Sequence, residues 1–259
     1  MSGAAFGRIA LEIDGDGPPI LFLHGLGATS SSFQPLLDGL GGFRCIRPDL
    51  PGAGRSPLPQ APLTIEALVE AALAIARAVA GGPAHLVRHS MGALIALNVA
   101  AAAPEMVASL TLFGPIAEPG EAQRERLRER ARLAREGGMI AVADAIAAAG
   151  LSSATKADNA VAFAYVRESH LRQDPEGFAQ SCEALAEGRA AGLRLLRCPT
   201  LLATGEDDPV VPPGAAQALA DRISGARVRG LARCGHWTPI EQPKACARLA
   251  SDHVRASVA

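Results

Sequence analysis

The chain has 259 residues, of which 49% are hydrophobic, a formal net charge of −1, and five cysteines. That length admits one large α/β domain with an insertion, or two small domains, and the apolar content supplies a core without disulfides or metals. The near-zero charge gives no electrostatic reason to expect nucleic acid or an anionic membrane as a partner.

The start, MSGAAFGRIALEIDGDG, lacks a basic segment leading into a long apolar one, so no signal peptide is expected. No apolar run reaches transmembrane length; GALIALNVAAAA is too short and meets Pro104. RIALEID alternates as a strand does, and PPILFLHG is a short apolar run of the kind a buried strand shows. SSSFQPLLDGL reads as a short helix and FRCIRPD as a strand. LTIEALVEAALAIARAVAGG is a helix that Thr64 caps and Gly81-Gly82 stops; Ala67 stands where a capping box would need Glu or Gln. A strand at AHLVRH, a helix at MGALIALNVAAAAPEM and a strand at VASLTLFG follow. Strand–helix–strand alternation implies a parallel sheet covered on both faces.

From about Pro115 to Arg197 the alternation stops and helical segments take over: GEAQRERLRERARLAREGG, MIAVADAIAAAG, KADNAVAFAYVRESHL and DPEGFAQSCEALAEG. Strand and helix patterns resume at PTLLATG, PPGAAQALADRI, ARVRGLA and QPKACARLASDHVRAS. A helical insertion, 115–197, is therefore expected to split an α/β core formed by 1–114 and 198–259. The arginine-rich run in the insertion reads as a solvated helix face, with Leu127, Ala131 and Ala134 turned inward and glutamates diluting the positive charge. Cys45, Cys182, Cys198, Cys234 and Cys246 are scattered with no C-x-x-C pair, as expected of reduced thiols in a cytoplasmic protein.

The chemistry-bearing residues stand at strand ends. In HLVRHSMGALIAL an apolar strand ends at Ser90 and a helix begins at once, which is most of a G-x-S-x-G nucleophile elbow. A helix N-cap is the ordinary alternative for such a serine. Arg88 stands where the first glycine of that turn belongs. LFLHGLGA ends an early strand in His24-Gly25-Leu26-Gly27, a turn whose backbone would aim an N–H at an oxyanion; the expected donors are the amides of Leu26 and Met91. The side chain of His24 is expected only to pack the loop. DLPGAGRS reads as a structural loop with no proton transfer assigned to it. LLATGEDDPVVP ends a strand with Glu206, Asp207 and Asp208, any of which would serve to orient a histidine. ARCGHWTPIEQP then places His236 in a loop before the last helix, completing the order Ser, acid, His.

With these motifs in that order, the sequence resembles the α/β-hydrolase superfamily over nearly its whole length, from PPILFLHG to RLASDHV. The resemblance implies an α/β-hydrolase fold: a mostly parallel sheet, helices on both faces, and a helical cap roofing the pocket. Its G-x-x-D pattern selects Asp208, its GH loop selects His236, and Glu241-Gln242-Pro243 matches its E-x-P tail. DPEGFAQSCEALAE with RCPTLLATGEDDPVVPP is similar to the 3-oxoadipate enol-lactonase and carboxylesterase branch. The resemblance implies hydrolysis of a small-molecule carboxylic ester or lactone through an acyl-enzyme on Ser90, with no cofactor or metal. C–C bond hydrolysis, thioester hydrolysis or perhydrolysis on the same triad is the alternative, and so is a binding protein that has lost catalysis. The cap is expected to supply an apolar pocket wall from residues such as Met139, Ile140, Phe163 and Phe178, each of which reads more readily as cap core. Trp237 is expected to line the pocket or to pack under its loop. The family has a small residue at position 88, because strand and helix approach closely there. The expectation for Arg88 is an elbow that stays active, the long stem covering neighbouring surface and the guanidinium reaching water or a carboxylate.

Overall fold

A computed structural model describes residues 2–258. Eight strands form one sheet: β1 (Ser2–Phe6), β2 (Ile9–Asp14), β3 (Pro19–Leu23), β4 (Arg44–Pro48), β5 (Ala84–His89), β6 (Val107–Phe113), β7 (Thr200–Gly205) and β8 (Arg227–Leu231). Their spatial order is β1-β2-β4-β3-β5-β6-β7-β8. The first three in that order pair antiparallel, and every pairing from β4 to β8 is parallel. All six residues of β5 are buried, as are all six of β7, which is why these strands read as apolar runs without alternation.

Among the described residues, ten α-helices accompany the sheet. Two precede or follow β5: α1 (Ile65–Ile75) and α2 (Met91–Ala102). Five lie between β6 and β7, within the 115–197 segment: α3 (Glu121–Gly137), α4 (Ile140–Gly150), α5 (Ser153–Asp158), α6 (Ala160–Leu171) and α7 (Pro175–Glu187). The last three are α8 (Pro213–Ala220), α9 (Thr238–Glu241) and α10 (Pro243–Val258). Successive residues of a strand face opposite sides, so β5 feeds two cores. Leu86 packs on the side of α1 and α2 with Leu21, Leu94 and Leu112. Val87 packs on the other side with Phe22, Phe33, Phe113 and, from α10, Val254.

Several local departures have physical causes. The segment SSSFQPLLDGL is a 3₁₀-helix, Ser30–Gly39, with Pro35 inside it; proline has no N–H for an α-helical bond. The sequence KADNAVAFAYVRESHL forms two helices, because Asn159 turns out of the first and its side chain accepts from the Ala162 amide to cap the second. Thr64 caps α1 through the Ala67 amide, and the helix closes in a π-turn, Ala76–Ala80, before Gly81 takes φ 77°. Strand β1 is an addition to the elements read from the sequence. No helix among the described residues is long and apolar enough to cross a membrane.

The sheet and α2 meet most closely at Gly92. A Cβ there would lie 2.2 Å from the Leu23 carbonyl oxygen and 2.9 Å from that of His24, both backbone atoms at the end of β3. Alanine is the better helix former by about 1 kcal/mol, but a collision with main chain outweighs that gain, and overpacking of this kind costs about 1–3 kcal/mol. Gly92→Ala is therefore expected to lower the melting temperature; an unchanged or raised value would show that β3 and α2 separate freely.

Candidate active site

Ser90 follows β5 directly and has φ 53° and ψ −119°, a conformation L-residues rarely adopt. Its amide donates to the Phe113 carbonyl at 2.9 Å, so the end of β6 holds the turn from one side. Gly25 holds it from the other, since a Cβ there would come 3.0 Å from both Cβ of Ser90 and Nδ1 of His89. The chain is forced into a sharp turn, and the hydroxyl stands at the C-terminal edge of the sheet beside the start of α2.

Three side chains that are far apart in the sequence meet here. Ser90 Oγ lies 2.9 Å from His236 Nε2, and His236 Nδ1 lies 2.9 Å from Asp208 Oδ2. The other carboxylate oxygen of Asp208 accepts from the amides of Val210 at 2.7 Å and Val211 at 2.9 Å. Burial acts to raise the Asp208 carboxyl, but His236 and these two amides outweigh it and hold the group below its ordinary value. Glu206 and Asp207 are exposed, so of the three adjacent acids only Asp208 reaches the histidine.

The loop carrying His236 is fastened at several points. Glu241 accepts from the amides of Gly235 and Ser152 and from the Thr155 hydroxyl through one oxygen, and from the Trp237 amide through the other. The His236 amide donates to the carbonyl of Gly150, the last residue of α4. Insertion and histidine loop are thus bonded directly. The E-x-P sequence marks Glu241, but its reach across to Ser152 and Thr155 has no sequence signal.

A cavity of about 370 Å³ opens over Ser90 and His236. Its walls include Leu26, Ile116, Leu127, Ile146, Leu185 and Trp237. Met139, Ile140, Phe163 and Phe178 do not line it. Met139 and Phe178 are buried in the core, Phe163 packs against that core, and Ile140 is exposed. The cavity wall is instead built from Leu127, Ile146 and Leu185, buried apolar residues of α3, α4 and α7. Leu26 lines the cavity, and Met91 is the first residue of α2, where an amide has no intrahelical partner. The DLPGAGRS loop is built around Asp49, which accepts from the amides of Ser30 and Arg55 and from Arg55 Nε. His24 accepts from the Leu50 amide through Nε2 and lies 2.9 Å from the Gly25 carbonyl through Nδ1, a packing role.

Arg88 contradicts one expectation. Its side chain neither reaches water nor meets a carboxylate: the residue is 0% exposed, and its guanidinium contacts only the carbonyls of Leu21 and Val87, with Nε unpartnered. Alternation along β5 directs it to the face that carries Leu86, under α2, so neither the sheet surface nor solvent is within its reach. Burial alone drives its pKa well below the ordinary arginine value. The other fully buried arginine, Arg47, shows the contrast, since Glu12 and Asp14 lie 3.0 and 2.7 Å from it. A buried cation without a counter-charge costs several kcal/mol even after relaxation.

A family model described as the alpha/beta hydrolase family matches residues 20–249. The chain belongs to that family. Among its relatives, an (E)-2-((N-methylformamido)methylene)succinate hydrolase of Acinetobacter baylyi is 27% identical over 75% of this chain and 74% of its own length. A 2-hydroxymuconate semialdehyde hydrolase of a Pseudomonas strain is 29% identical over 95% of this chain and 89% of its own. Among solved structures, the enol-lactonase of Burkholderia xenovorans superposes with a TM-score of 0.90 at 28% identity, covering 98% of this chain and all of that one. The chain has the α/β-hydrolase fold, with helices around a mostly parallel sheet.

Two predictions follow from the geometry of the site. Replacing Arg88 with glycine removes the unpaired buried cation and is expected to raise stability by about 1–3 kcal/mol in denaturant unfolding, the scale of relieving an overpacked site. Lower stability in the glycine variant would mean that the arginine side chain fills space the fold needs. The second concerns pH. Desolvation lowers the pKa of His170 to about 4 and, with His236 nearby, that of His89 to about 3, both from an ordinary 6.5. The unfolded chain then binds more protons than the folded one between those values, so stability is complete above pH 6.5 and falls as the pH drops toward 3. His170→Gln should shrink the difference in unfolding free energy between pH 7 and pH 5; an identical difference in the two proteins would contradict this.

Proposed function

We propose that this α/β hydrolase cleaves a carboxylic ester or lactone of a small molecule through an acyl-enzyme on Ser90. The observation that carries the reading is the unbroken chain Asp208–His236–Ser90, with both contacts at 2.9 Å, on the floor of a cavity walled largely by apolar side chains. Likeness to the enol-lactonase of B. xenovorans supports reading the reaction as ester or lactone hydrolysis.

In the first step Ser90 Oγ attacks the carbonyl carbon while His236 Nε2 takes the hydroxyl proton. Asp208 holds the imidazole with Nδ1–H toward it and stabilises the imidazolium that forms. The carbonyl oxygen, now an oxyanion, accepts from the amides of Leu26 and Met91. The imidazolium gives its proton to the leaving alkoxide, and an acyl-serine remains. Water then attacks the acyl group with His236 again taking the proton, and collapse returns that proton to Ser90 and releases the acid. Every proton is accounted for by side chains of the chain itself, so this route draws on no metal or organic cofactor. Trp237 and Leu26 shape the cavity beside the reacting carbonyl.

The test is ester turnover by folded variants. Ser90→Ala should lower kcat for para-nitrophenyl esters by about 10⁴-fold or more, and Asp208→Asn by about 10⁴-fold, because the amide favours the wrong imidazole tautomer. Asp207→Asn should be nearly silent, given its exposed side chain. Turnover in folded Ser90→Ala at the level of the parent would exclude the acyl-enzyme route.

A further inference from the structure

Helix α3 carries six arginines, and they divide into two sets. Four are ion-paired away from the cavity. Arg124 meets Glu118 at 3.2 Å, Arg128 meets Glu187 at 2.8 Å, Arg132 meets Glu129 at 2.6 Å, and Arg135 meets Glu176 at 2.7 Å. Arg128, Arg132 and Arg135 are exposed, as the expected solvated face requires, whereas Arg124 is half-buried and also donates to the Ala186 carbonyl. Arg126 and Arg130 differ, because neither has a carboxylate within ion-pair distance among the described residues, and both line the cavity over Ser90. With Gln123 and Leu127 they occupy positions 123, 126, 127 and 130, the i, i+3, i+4, i+7 spacing that sets four side chains on one helix face.

Their surroundings leave these charges unanswered. Among the described residues, no aspartate or glutamate lines the cavity. Three histidines line it: His236, which bonds Ser90 and Asp208, and His89 and His170, both shifted by burial toward the neutral form; Gln123 donates to the Val210 carbonyl. Arg126 is exposed at the rim; Arg130 is half-buried, and desolvation lowers its pKa from the ordinary arginine value. Cationic groups on a low-dielectric wall raise the local concentration of anions, and a guanidinium offers a planar donor fork matched to a carboxylate.

We propose that Arg126 and Arg130 form a carboxylate-binding wall, so that the preferred ester or lactone carries a carboxylate in addition to the bond that is cleaved. This rests on the reading of Ser90 as the nucleophile beneath that wall. The remaining apolar walls take the hydrocarbon between the two groups. Arg126, at the rim, meets the incoming anion first, and Arg130 holds it further in.

The experiment compares para-nitrophenyl hemiglutarate with its neutral isostere, in which an isopropyl group replaces the free carboxylate. The parent enzyme should have the higher kcat/KM for the hemiglutarate. In Arg126→Gln/Arg130→Gln the ratio of the two kcat/KM values should fall about tenfold or more, mostly through KM, as expected for lost charge-assisted hydrogen bonds. Arg126→Lys/Arg130→Lys should keep part of the preference, and Arg128→Gln, away from the cavity, should keep all of it. A ratio unchanged in the double glutamine variant, or a parent that prefers the neutral ester, overturns the proposal. Calorimetric titration with glutarate separates this failure from failure of the serine mechanism, because binding needs no turnover. Glutarate should bind the parent and bind the double glutamine variant about tenfold more weakly. Absent or equal binding overturns the carboxylate wall even if ester hydrolysis stands, and arginine-dependent binding supports it even if Ser90 is inert.

Discussion

The left-handed backbone at Ser90 depends on three chain segments that press on one turn. The end of β3 lies against Gly92, Gly25 faces the Ser90 side chain, and the last carbonyl of β6 accepts the Ser90 amide. A residue with φ 53° costs about 1–3 kcal/mol and persists only where its surroundings determine it. Here they do so from both neighbouring strands, β3 and β6, and from the helix that starts at the next residue. The same packing decides where the hydroxyl points and where the first free amides of α2 and of the Gly25-Leu26-Gly27 loop stand. Placement of the proposed nucleophile and of the proposed oxyanion donors is therefore one constraint. Arg88 enters this crowded turn from below, bringing an unpaired charge where β3, β5 and α2 converge.

The insertion is bonded to the loop that carries His236 as well as covering it. Gly150 at the end of α4 accepts the His236 amide, and Glu241 gathers amides from Gly235 and Trp237 on one side and Ser152 on the other. On the opposite wall His170 of α6 packs so closely on Gly27 that a Cβ there would come 2.2 Å from its ring. The position of the insertion and that of the His236 imidazole are thus linked through short contacts. Displacing α4 or α6 would move the histidine loop or the proposed oxyanion loop with it.

Much of this was legible in the sequence because the chemistry sits at strand ends, where apolar runs stop abruptly at Ser90, at Gly205 before Asp208, and at the His24-Gly25 turn. The order of these stops survives folding, since a parallel sheet gathers the C-terminal ends of its strands on one edge. Side-chain destinations within a crowded or helical region were not legible. Arginine at position 88 has a stem long enough to reach solvent in most settings, and only the three-dimensional enclosure under α2 denies it an exit. In the insertion, apolar residues such as Phe178 and Met139 are buried in the core, while the cavity face of α3 is set by helix rotation. That rotation puts Arg126 and Arg130 inward from a run whose composition alone reads as surface. The break at Asn159 was hidden for a similar reason, because one capping amide inside a continuous helical pattern carries little signal.

The claim on which the others depend is that the elbow presents Ser90 as a nucleophile and holds the oxygen of its adduct between two amides. A crystal structure of the enzyme treated with an alkyl fluorophosphonate tests it most directly. The account predicts a phosphonyl group bonded to Ser90 Oγ, with its non-bridging oxygen within about 3 Å of the backbone nitrogens of Leu26 and Met91. An unmodified Ser90, or an adduct whose oxygen faces away from both amides, would contradict it.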